Sequence, residues 1–309
     1  MKKLRRAGAR VWPVAAVLTL GCAGIGVPSF RVPSAVAEPV AVAVCSSAQA
    51  ATAVPAGLPI LDWSENVGYD AQGNLWVSRL YRNEVQRYDG AGRLTATVPV
   101  EFPGAVRLGP DGLLYVVYGD SPTSVLRPGG VVRFDPSDPR PAVLASGFTM
   151  PNGAAFDAKG NLYVASSVGV IRIGPDGVVD ADWTARAKFT GANGIVVRDD
   201  SIYLSMNGNP LGRIVRFPIE DPGAVTVIAD VAVSPGIPDF ADDFLIDDAG
   251  VLYVTTLTGQ LVRIDPSTNT ACAVLTGQPL TSVVAVPGHP DELLAGTEGG
   301  AILRIRLSH

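Results

Sequence analysis

The stretch Met150–Ser166, MPNGAAFDAKGNLYVAS, contains a Pro-Asn-Gly, a short apolar run, an Asp-Ala-Lys-Gly turn and an alternating strand. Asp and Gly in the turn favour a tight hairpin, because they tolerate the left-handed backbone that such turns require. Near-copies recur at intervals of 39 to 50 residues. Each is marked by a Leu or Ile before a second apolar residue: Leu75-Trp76, Leu114-Tyr115, Leu162-Tyr163, Ile202-Tyr203, Leu252-Tyr253 and Leu293-Leu294.

A second, independent marker gives the same six units. The third strand of each ends with an Arg that lies between two hydrophobic residues in all repeats but the first, where Gln86 precedes it. These residues are Arg87, Arg133, Arg172, Arg216, Arg263 and Arg304. Repeats of about 40 residues with roughly four strands each are typical of a β-propeller. The sequence therefore predicts an all-β, six-bladed β-propeller over residues 58–309. Because the last repeat ends before a fourth strand, Leu58–Trp63 is predicted to close the ring.

The N-terminus has the layout of a targeting segment. A positively charged start, Met1–Arg6, precedes the apolar run Val11–Val27 and the small-residue site Ala35–Ala37. This order is typical of a secretory signal peptide, here predicted to span residues 1–37, and indicates a secreted or extracytoplasmic protein. The alternatives are an uncleaved membrane anchor and a lipid anchor on Cys22.

The rest of the chain is acidic, and residues 38–57 are predicted to be a linker. Residues 1–37 hold six basic and no acidic side chains, so their removal changes the formal net charge from −5 to −11. Such a surface repels phosphate backbones, which excludes nucleic acid as an expected partner. Cys45 and Cys272 remain after cleavage, and outside the cytoplasm they either form a disulfide or stay as two thiols.

The residue at the Asn152 position of each repeat lies at the start of the innermost strand, where a propeller opens its channel to solvent. Counting ten residues back from each marker, or nine in the fourth repeat, gives Glu65, Gly104, Asn152, Asn193 and Asp242. The same count reaches Val283 in the sixth repeat, but its longer turn favours Thr281 or Ser282. Four oxygen-bearing side chains are therefore expected to converge on the channel axis.

Those four side chains predict a metal site, with Glu65, Asn152, Asn193 and Asp242 as its ligands. Two carboxylates and two amides offer only oxygen donors, a set that suits a hard divalent cation. Ca²⁺ is the predicted cofactor, with Mn²⁺, Mg²⁺ or Zn²⁺ as alternatives, because no thiolate or imidazole occurs at these positions. The structural alternative is that Asn-Gly and Asp-Asp form turns and bond their own backbone.

These positions resemble those of the senescence-marker-protein/gluconolactonase family of six-bladed propellers, over about residues 58–309. Glu65 matches the Glu that this family carries in its first blade. Asn152-Gly153 and Asn193-Gly194 match the contexts of its two metal-binding asparagines. The resemblance implies a single divalent cation at the channel mouth and hydrolysis of lactones, esters or phosphotriesters.

The family's metal-binding Asp corresponds to Asp242 when the chains are aligned through Phe244–Asp247. The surrounding motif departs from the family's, which leaves Asp239 and Asp243 as alternatives. We interpret Asp242 as the catalytic residue too, activating water or attacking the carbonyl directly.

The predicted function is thus an exported, metal-dependent hydrolase of the gluconolactonase-like type, acting on a small-molecule lactone or ester. The alternative is a non-catalytic secreted propeller, a binding or scaffold protein with a structural cation, since fold does not decide function. Substrate binding is expected from loops at the same mouth. The candidates are Arg79, Tyr81, Phe148, Asn207, Phe240 and the segment Tyr118–Gly130.

Overall fold

The computed structural model describes residues 41–42, 45–232 and 238–308. The predicted signal peptide, including Cys22, lies outside the described residues, as does the C-terminal His309. Within the described ranges no helix is both long enough and apolar enough to span a bilayer.

Six sheets follow one another along the chain, and each forms one blade of a propeller. The N-terminal arm supplies β1 (Ala41–Val42) and β2 (Gln49–Val54). Blade 1 contains β3 (Ser64–Tyr69), β4 (Leu75–Arg79), β5 (Glu84–Tyr88) and β6 (Leu94–Pro99). Blade 2 contains β7 (Val106–Leu108), β8 (Leu114–Tyr118), β9 (Gly129–Asp135) and β10 (Asp138–Phe148). Blade 3 contains β11 (Pro151–Phe156), β12 (Leu162–Ser166) and β13 (Gly169–Ile173). Blade 4 contains β14 (Ala192–Arg198), β15 (Ser201–Met206), β16 (Arg213–Pro218) and β17 (Thr226–Asp230). Blade 5 contains β18 (Ala241–Ile246), β19 (Leu252–Thr256), β20 (Gln260–Asp265) and β21 (Thr270–Thr276). Blade 6 contains β22 (Leu280–Val286), β23 (His289–Thr297) and β24 (Ile302–Arg306). The six-bladed propeller predicted from the repeats is confirmed.

The hydrophobic core lies between neighbouring blades. One cluster joins Tyr163 and Val170 of the third blade to Ile202 and Phe217 of the fourth. Since the blades cover one another on both faces, the second strands β4, β12 and β19 are buried at every position. This is why the marker Leu-aromatic pairs stand out in the sequence as short continuous apolar runs.

The third blade departs from the four-strand pattern. After β13 the chain forms a short helix, α1 (Ala181–Arg186), instead of an outer strand. The side chain of Asp180 caps it by accepting a 3.0 Å hydrogen bond from the backbone nitrogen of Trp183. Trp183 is buried, packs edge-on against Tyr163 and donates a 2.6 Å hydrogen bond to the carbonyl of Ile219 in the fourth blade. Two single-turn 3₁₀ helices, Leu80–Arg82 and Pro122–Val125, follow the second strands of blades 1 and 2.

An N-terminal strand closes the ring, but it is not the predicted one. β2 (Gln49–Val54) pairs antiparallel with β24 and completes the sixth blade, so the strand lies within the segment predicted to be a linker. Leu58–Trp63 instead forms turns, held by Asp62, which accepts hydrogen bonds from the backbone nitrogens of Gly57 and Leu58 at 2.6 and 2.7 Å. The prediction was wrong because an outermost strand packs on one side only, so β2 carries little apolar signal.

A disulfide joins the N-terminal arm to the fifth blade. Cys45 and Cys272 are bonded across a sequence separation of 227, with their Cα atoms 5.9 Å apart. Just before it, β1 pairs in parallel with β21. The arm therefore runs along the edge of blade 5 before it becomes the outer strand of blade 6.

Candidate functional site

A cavity of about 240 Å³ opens at one end of the channel. All four predicted metal ligands line it, together with one further carboxylate and a mainly apolar wall. The lining residues are Trp63, Glu65, Leu80, Tyr81, Phe102, Asp120, Ser121, Pro122, Asn152, Asn193, Asn207, Asp242 and Leu257. The repeat position chosen from the sequence therefore leads to one shared cavity.

Irregular strand pairing aims these side chains into the channel. In four blades the register between the first and second strands shifts at the predicted position, between Ser64 and Asn66, Pro151 and Ala154, Ala192 and Ile195, and Ala241 and Phe244. Such a shift places an extra residue on one strand, bends it and re-aims its side chain. The regular alternation of a strand would not by itself turn these residues toward the axis.

The glycines beside the candidate ligands allow the blades to approach closely at this point. A Cβ on Gly153 would overlap the carbonyl oxygen of Asn193, and a Cβ on Gly194 would lie 2.8 Å from that of Asp242. Gly104, whose own position lacks a ligand, lies in the same way against Asn152. Each Asn-Gly pair thus supplies a side chain and makes room for the backbone of the next blade, so these pairs are not merely turn residues.

Glu65, at 6% exposure, is the most heavily bonded of the predicted ligands. It accepts hydrogen bonds from Trp63 Nε1 at 2.6 Å and from Asn152 Nδ2 at 2.8 Å. The same Asn152 nitrogen also lies 2.8 Å from Asp120 Oδ2. Asn152 is here a donor bridging two carboxylates, and a half-turn of its amide would present its oxygen instead.

Three carboxyl groups share this cavity, and all three have raised pKa values. Burial raises the pKa of Glu65, although hydrogen bonds from Trp63 and Asn152 oppose it. Burial raises the pKa of Asp120 well above its usual range, and the charge of Glu65 adds to the effect. The pKa of Asp242 is likewise raised well above normal by burial and by Glu65. Among the described residues lining the cavity there is no Lys, Arg or His to balance these charges.

The donor set fits a divalent cation. The buried Oδ1 of Asn193 has no hydrogen-bond donor in the part of the chain that the structure describes. Among the described residues, the Asp242 carboxylate receives only a long 3.5 Å contact, from Asn207 Nδ2. Orphaned oxygens beside mutually repelling carboxylates are what a hard cation would satisfy. No three acidic, His or Cys side chains of the described residues form a metal site by themselves, so the amide oxygens would have to contribute.

The two alternative candidates for the metal-binding aspartate, Asp239 and Asp243, have bonding partners outside the cavity. Asp239 accepts hydrogen bonds from Thr258, Gln260 and the backbone of Phe240 at 2.6 to 3.0 Å, all within the fifth blade. Asp243 accepts from Asn66 at 2.9 Å and pairs with Arg107 at 3.3 Å. Neither lines the cavity, whereas Asp242 does.

The sixth repeat position, which lacks a predicted ligand, stays outside the site. Thr281 donates its hydroxyl to the carbonyl of Ser64, and Ser282 Oγ is buried without a partner among the described residues. Val283 lines a second cavity, of about 350 Å³, at the other side of the channel.

Arg107, from the second blade, lies in the channel next to the site and lines the second cavity. Its guanidinium donates to Asn66 Oδ1 at 2.6 Å and to the carbonyl of Ala154 at 2.9 Å, besides its pairing with Asp243. One side chain therefore connects four blades. Asn66 and Asp243 directly follow Glu65 and Asp242 in sequence, so this network holds the strand segments that carry two candidate ligands.

Only some of the predicted substrate-binding residues lie in the cavity. Tyr81 and Asn207 line the cavity. Arg79 does not: it is buried and donates to Gln86, Tyr88 and the carbonyls of Asp62 and Gly300, which joins blade 1 to the ring closure. Two further candidates are also absent from the lining, Phe148, which is buried in the core between blades 2 and 3, and Phe240.

Asp120 is the site residue that sequence reasoning missed. It lies in the predicted loop segment Tyr118–Gly130, which contributes Ser121 and Pro122 to the wall as well. The length of this segment makes it a candidate loop in the sequence, but Asp120 occupies no repeated position. The available signal was an acidic residue just after a second strand, close to the mouth.

Comparison with known proteins gives structural neighbours only. No family model and no curated protein matches the chain. A gluconolactonase from Xanthomonas campestris is 18% identical, with a TM-score of 0.63 over 88% of this chain and 99% of that one. A calcium-binding protein, regucalcin, from Agrobacterium tumefaciens is 17% identical, with a TM-score of 0.67 over 86% and 96%. A structure described as a putative gluconolactonase is 18% identical, with a TM-score of 0.66 over 85% and 94%. The chain has the six-bladed propeller fold of these proteins.

Proposed function

We propose that this chain is an exported hydrolase that opens a lactone or ester at the mouth of its channel and requires a divalent cation. The observation that carries the proposal is the Oδ1 of Asn193, which has no partner among the described residues and is buried in one cavity with the carboxylates of Glu65 and Asp242. The family resemblance of the sequence supports the reaction class. So does the fold shared with structures described as gluconolactonases.

Glu65, Asn193 and Asp242 would hold the cation, joined by Asn152 if its amide oxygen turns inward. Oxygen-only donors favour Ca²⁺, with Mn²⁺, Mg²⁺ or Zn²⁺ as alternatives. When bound, the cation supplies a Lewis acid for the substrate carbonyl.

Asp242 is the proposed catalytic residue. Its carboxylate is buried and, in the part of the chain that the structure describes, has only a long contact from Asn207, so an oxygen is free to take a proton from water or to attack the carbonyl. Trp63 and Asn152 fix both oxygens of Glu65, which leaves Glu65 poorly placed to move a proton.

Export is part of the proposal, supported by the sequence of residues 1–37 and by the Cys45–Cys272 disulfide. Disulfides persist in oxidising compartments and are rare in the cytosol. Intact mass and N-terminal sequencing of the protein expressed with its own leader test this. A start at Glu38 supports a cleaved signal peptide, a lipid-modified start at Cys22 supports an anchor, and an intact Met1 contradicts processing.

The activity is tested with the protein from Glu38 onward against a panel of lactones and aryl esters, with EDTA or with added Ca²⁺ or Mn²⁺. We expect turnover that EDTA abolishes and that Asp242→Asn lowers at least about a hundredfold. Asp138→Asn is the matched control, since the Asp138 side chain is 67% exposed on an outer strand. Cation binding without turnover of any substrate would instead favour a scaffold whose cation joins the blades.

A further inference from the structure

The wall of the cavity differs chemically from its floor. The floor consists of carboxylates and amides, whereas the wall above it is formed by six largely apolar side chains: Trp63, Leu80, Tyr81, Phe102, Pro122 and Leu257. No cationic side chain of the described residues lines either part. A ligand in this cavity therefore meets carboxylates and amides at the floor and, apart from the Ser121 hydroxyl, mainly apolar side chains at the wall.

Two of the aromatic wall residues are fixed relative to the floor. The Trp63 and Tyr81 rings pack edge-on, with centroids 5.6 Å apart and planes at 75°. Trp63 is also tied to the floor through its 2.6 Å hydrogen bond to Glu65. Because the indole N–H is used there, Trp63 has no polar group left for a ligand. Both rings thus offer preformed apolar surface directly beside the proposed reaction centre.

Phe102 is held at the mouth in an unfavourable backbone conformation. Its φ is +40°, a left-handed value that a bulky residue rarely adopts. Asn83 stabilises it by accepting a 2.8 Å hydrogen bond from the Phe102 nitrogen. Strain of this kind persists where surrounding structure enforces it, and it is concentrated at ligand sites. The fold therefore maintains an aromatic side chain in the cavity wall at an energetic cost.

Two exposed apolar side chains lie close in sequence to residues of the wall. Ile60, 69% exposed with a φ of +73°, lies three residues before Trp63. Leu126, 88% exposed, follows the 3₁₀ helix that begins at Pro122 of the wall. Exposed apolar side chains near a cavity are typical of ligand-binding sites.

The charges of the floor restrict the ligand further. Three carboxyl groups without a counter-charge in the described lining repel phosphate and carboxylate substrates, even after one cation is bound. A polyhydroxylated lactone would leave most of its hydroxyls against Leu, Phe, Pro and Trp side chains, and each unpaired polar group would oppose binding.

We infer that the substrate is an uncharged lactone or ester with an alkyl or aromatic substituent that occupies the wall of Trp63, Tyr81 and Phe102, rather than a sugar lactone or an anionic phosphoester. The inference rests on the proposed hydrolase function. The carbonyl faces the floor and the substituent faces the wall.

The test compares γ-butyrolactone, γ-nonalactone and glucono-1,5-lactone at equal cation concentration. We expect kcat/KM to be at least about tenfold higher for γ-nonalactone than for γ-butyrolactone, because its chain is buried against the wall. Gluconolactone should be the slowest. Preference for gluconolactone, or no difference between the two γ-lactones, would overturn the inference and leave the hydrolase intact.

Tyr81→Ala and Phe102→Ala test the wall itself. Each should raise KM for γ-nonalactone at least about fivefold and lower the ratio of kcat/KM for γ-nonalactone to kcat/KM for γ-butyrolactone by a similar factor, a loss of selectivity that general damage would not produce. Leu94→Ala is the control, because Leu94 is equally apolar and 52% exposed on the outer strand of blade 1. Two wall variants are used so that misfolding of one, seen as a lowered Tm, does not decide the outcome.

A binding measurement separates substrate class from reaction. The probe is 5-pentyl-2-pyrrolidinone, the lactam analogue of γ-nonalactone, followed by tryptophan fluorescence, with Trp63→Phe to assign the signal. If no lactone or ester is hydrolysed but the lactam binds in preference to 2-pyrrolidinone, the hydrolase proposal fails and the ligand class stands. If neither turnover nor lactam binding occurs, both are overturned.

Discussion

Asn152 in the third blade donates a 2.8 Å hydrogen bond to Glu65 in the first, although 87 positions separate them in sequence. The same amide lies 2.8 Å from Asp120 in the second blade, so one neutral donor stands between two carboxylates. Three blades meet at this amide, and two others bring Asn193 and Asp242 to the same cavity. Acidic groups from three blades are therefore gathered in one cavity with no basic side chain among its described lining residues.

Asp242→Asn should change stability in opposite directions without and with a cation. Without a cation the variant loses one of three repelling carboxylates, so its Tm should exceed that of the unchanged protein. With millimolar Ca²⁺ the unchanged protein should gain stability and the variant should gain little, because a charged ligand is missing. Thermal unfolding and calorimetric titration with Ca²⁺ measure both effects. Asp138→Asn should behave as the unchanged protein, and a lower Tm of cation-free Asp242→Asn would contradict the expectation.

Compared with the triple variant Glu65→Gln, Asp120→Asn, Asp242→Asn, the protein without a cation should lose stability as the pH rises from about 4 toward neutrality. Burial raises the folded-state pKa of Glu65, Asp120 and Asp242, so the folded chain retains protons that the unfolded chain releases. The contribution of these three groups to the free energy of unfolding must then fall as the pH increases through that window. Carboxyls whose pKa is lowered, such as Asp62 and Asp157, contribute in the opposite direction, and the comparison with the variant cancels them. Cation binding displaces the protons of the three groups, so Ca²⁺ affinity should rise over the same range. Denaturant unfolding of both proteins with EDTA at a series of pH values checks the sign, and a stability difference that moves in favour of the unchanged protein as the pH rises would contradict it.

Gly194→Ala should destabilise the fold and weaken cation binding together. Its Cβ would lie 2.8 Å from both the Asp242 carbonyl oxygen and the Asp243 Cα, so the strand carrying Asp242 must shift. We expect a loss of about 1–3 kcal/mol in the free energy of unfolding. Gly90→Ala is the matched control, since no atom lies within 4 Å of the Cβ it would add. Equal stability of the two variants would show that the close approach of the blades is not needed.

Arg107→Met should destabilise the channel, because the buried Asp243 carboxylate loses the positively charged guanidinium with which it pairs. The Asp243 side chain is 3% exposed and that of Arg107 25%, so we expect about 2–3 kcal/mol, less than for a fully buried pair. Adding Asp243→Asn should recover part of the loss, because it removes the unpaired charge. Arg93→Met, at a pair whose arginine is 80% exposed, should leave the Tm unchanged. Failure of the double variant to recover stability would argue against charge pairing as the cause.

Replacing both cysteines, Cys45→Ser with Cys272→Ser, should lower stability by about 2–4 kcal/mol, since the bond closes a very long loop in the unfolded chain. Thermal unfolding with and without reductant measures this, and the variant should be insensitive to reductant. Thiol titration of the denatured chain from Glu38 onward should find no free thiol before reduction and two afterwards. Two thiols before reduction would contradict the disulfide.

Local sequence predicted the fold because the propeller repeats its local signals. A Leu or Ile followed by a second apolar residue recurs with the hairpin turn in every blade, and the period fixes which residue starts each inner strand. For this reason Glu65, Asn152, Asn193 and Asp242 could be placed at one register, and the structure lines one cavity with all four. Asn207 and Tyr81 could be predicted as substrate-binding residues because their loops lie at the same mouth of the channel.

Features outside the repeat were not predictable in the same way. Arg79 looks like a substrate-binding residue in sequence but is buried among backbone carbonyls at the ring closure. Asp120 lies on a loop that no other blade copies. The closing strand β2 is held by backbone pairing with β24. Such pairing depends little on side chains, so the sequence gives little indication of it.

The sequence by itself determined the number of blades and the register of the four predicted ligands, because hairpin turns and buried strands depend on neighbouring residues. The tertiary structure alone decided which residues face one another across the channel: Asp120 beside Glu65, Asp243 paired with Arg107, and apolar rings above acidic groups. Those relationships arise when the ring closes, since closure brings together segments that are far apart in the chain. Burial at that point then sets the charges and pKa values, which no local pattern encodes.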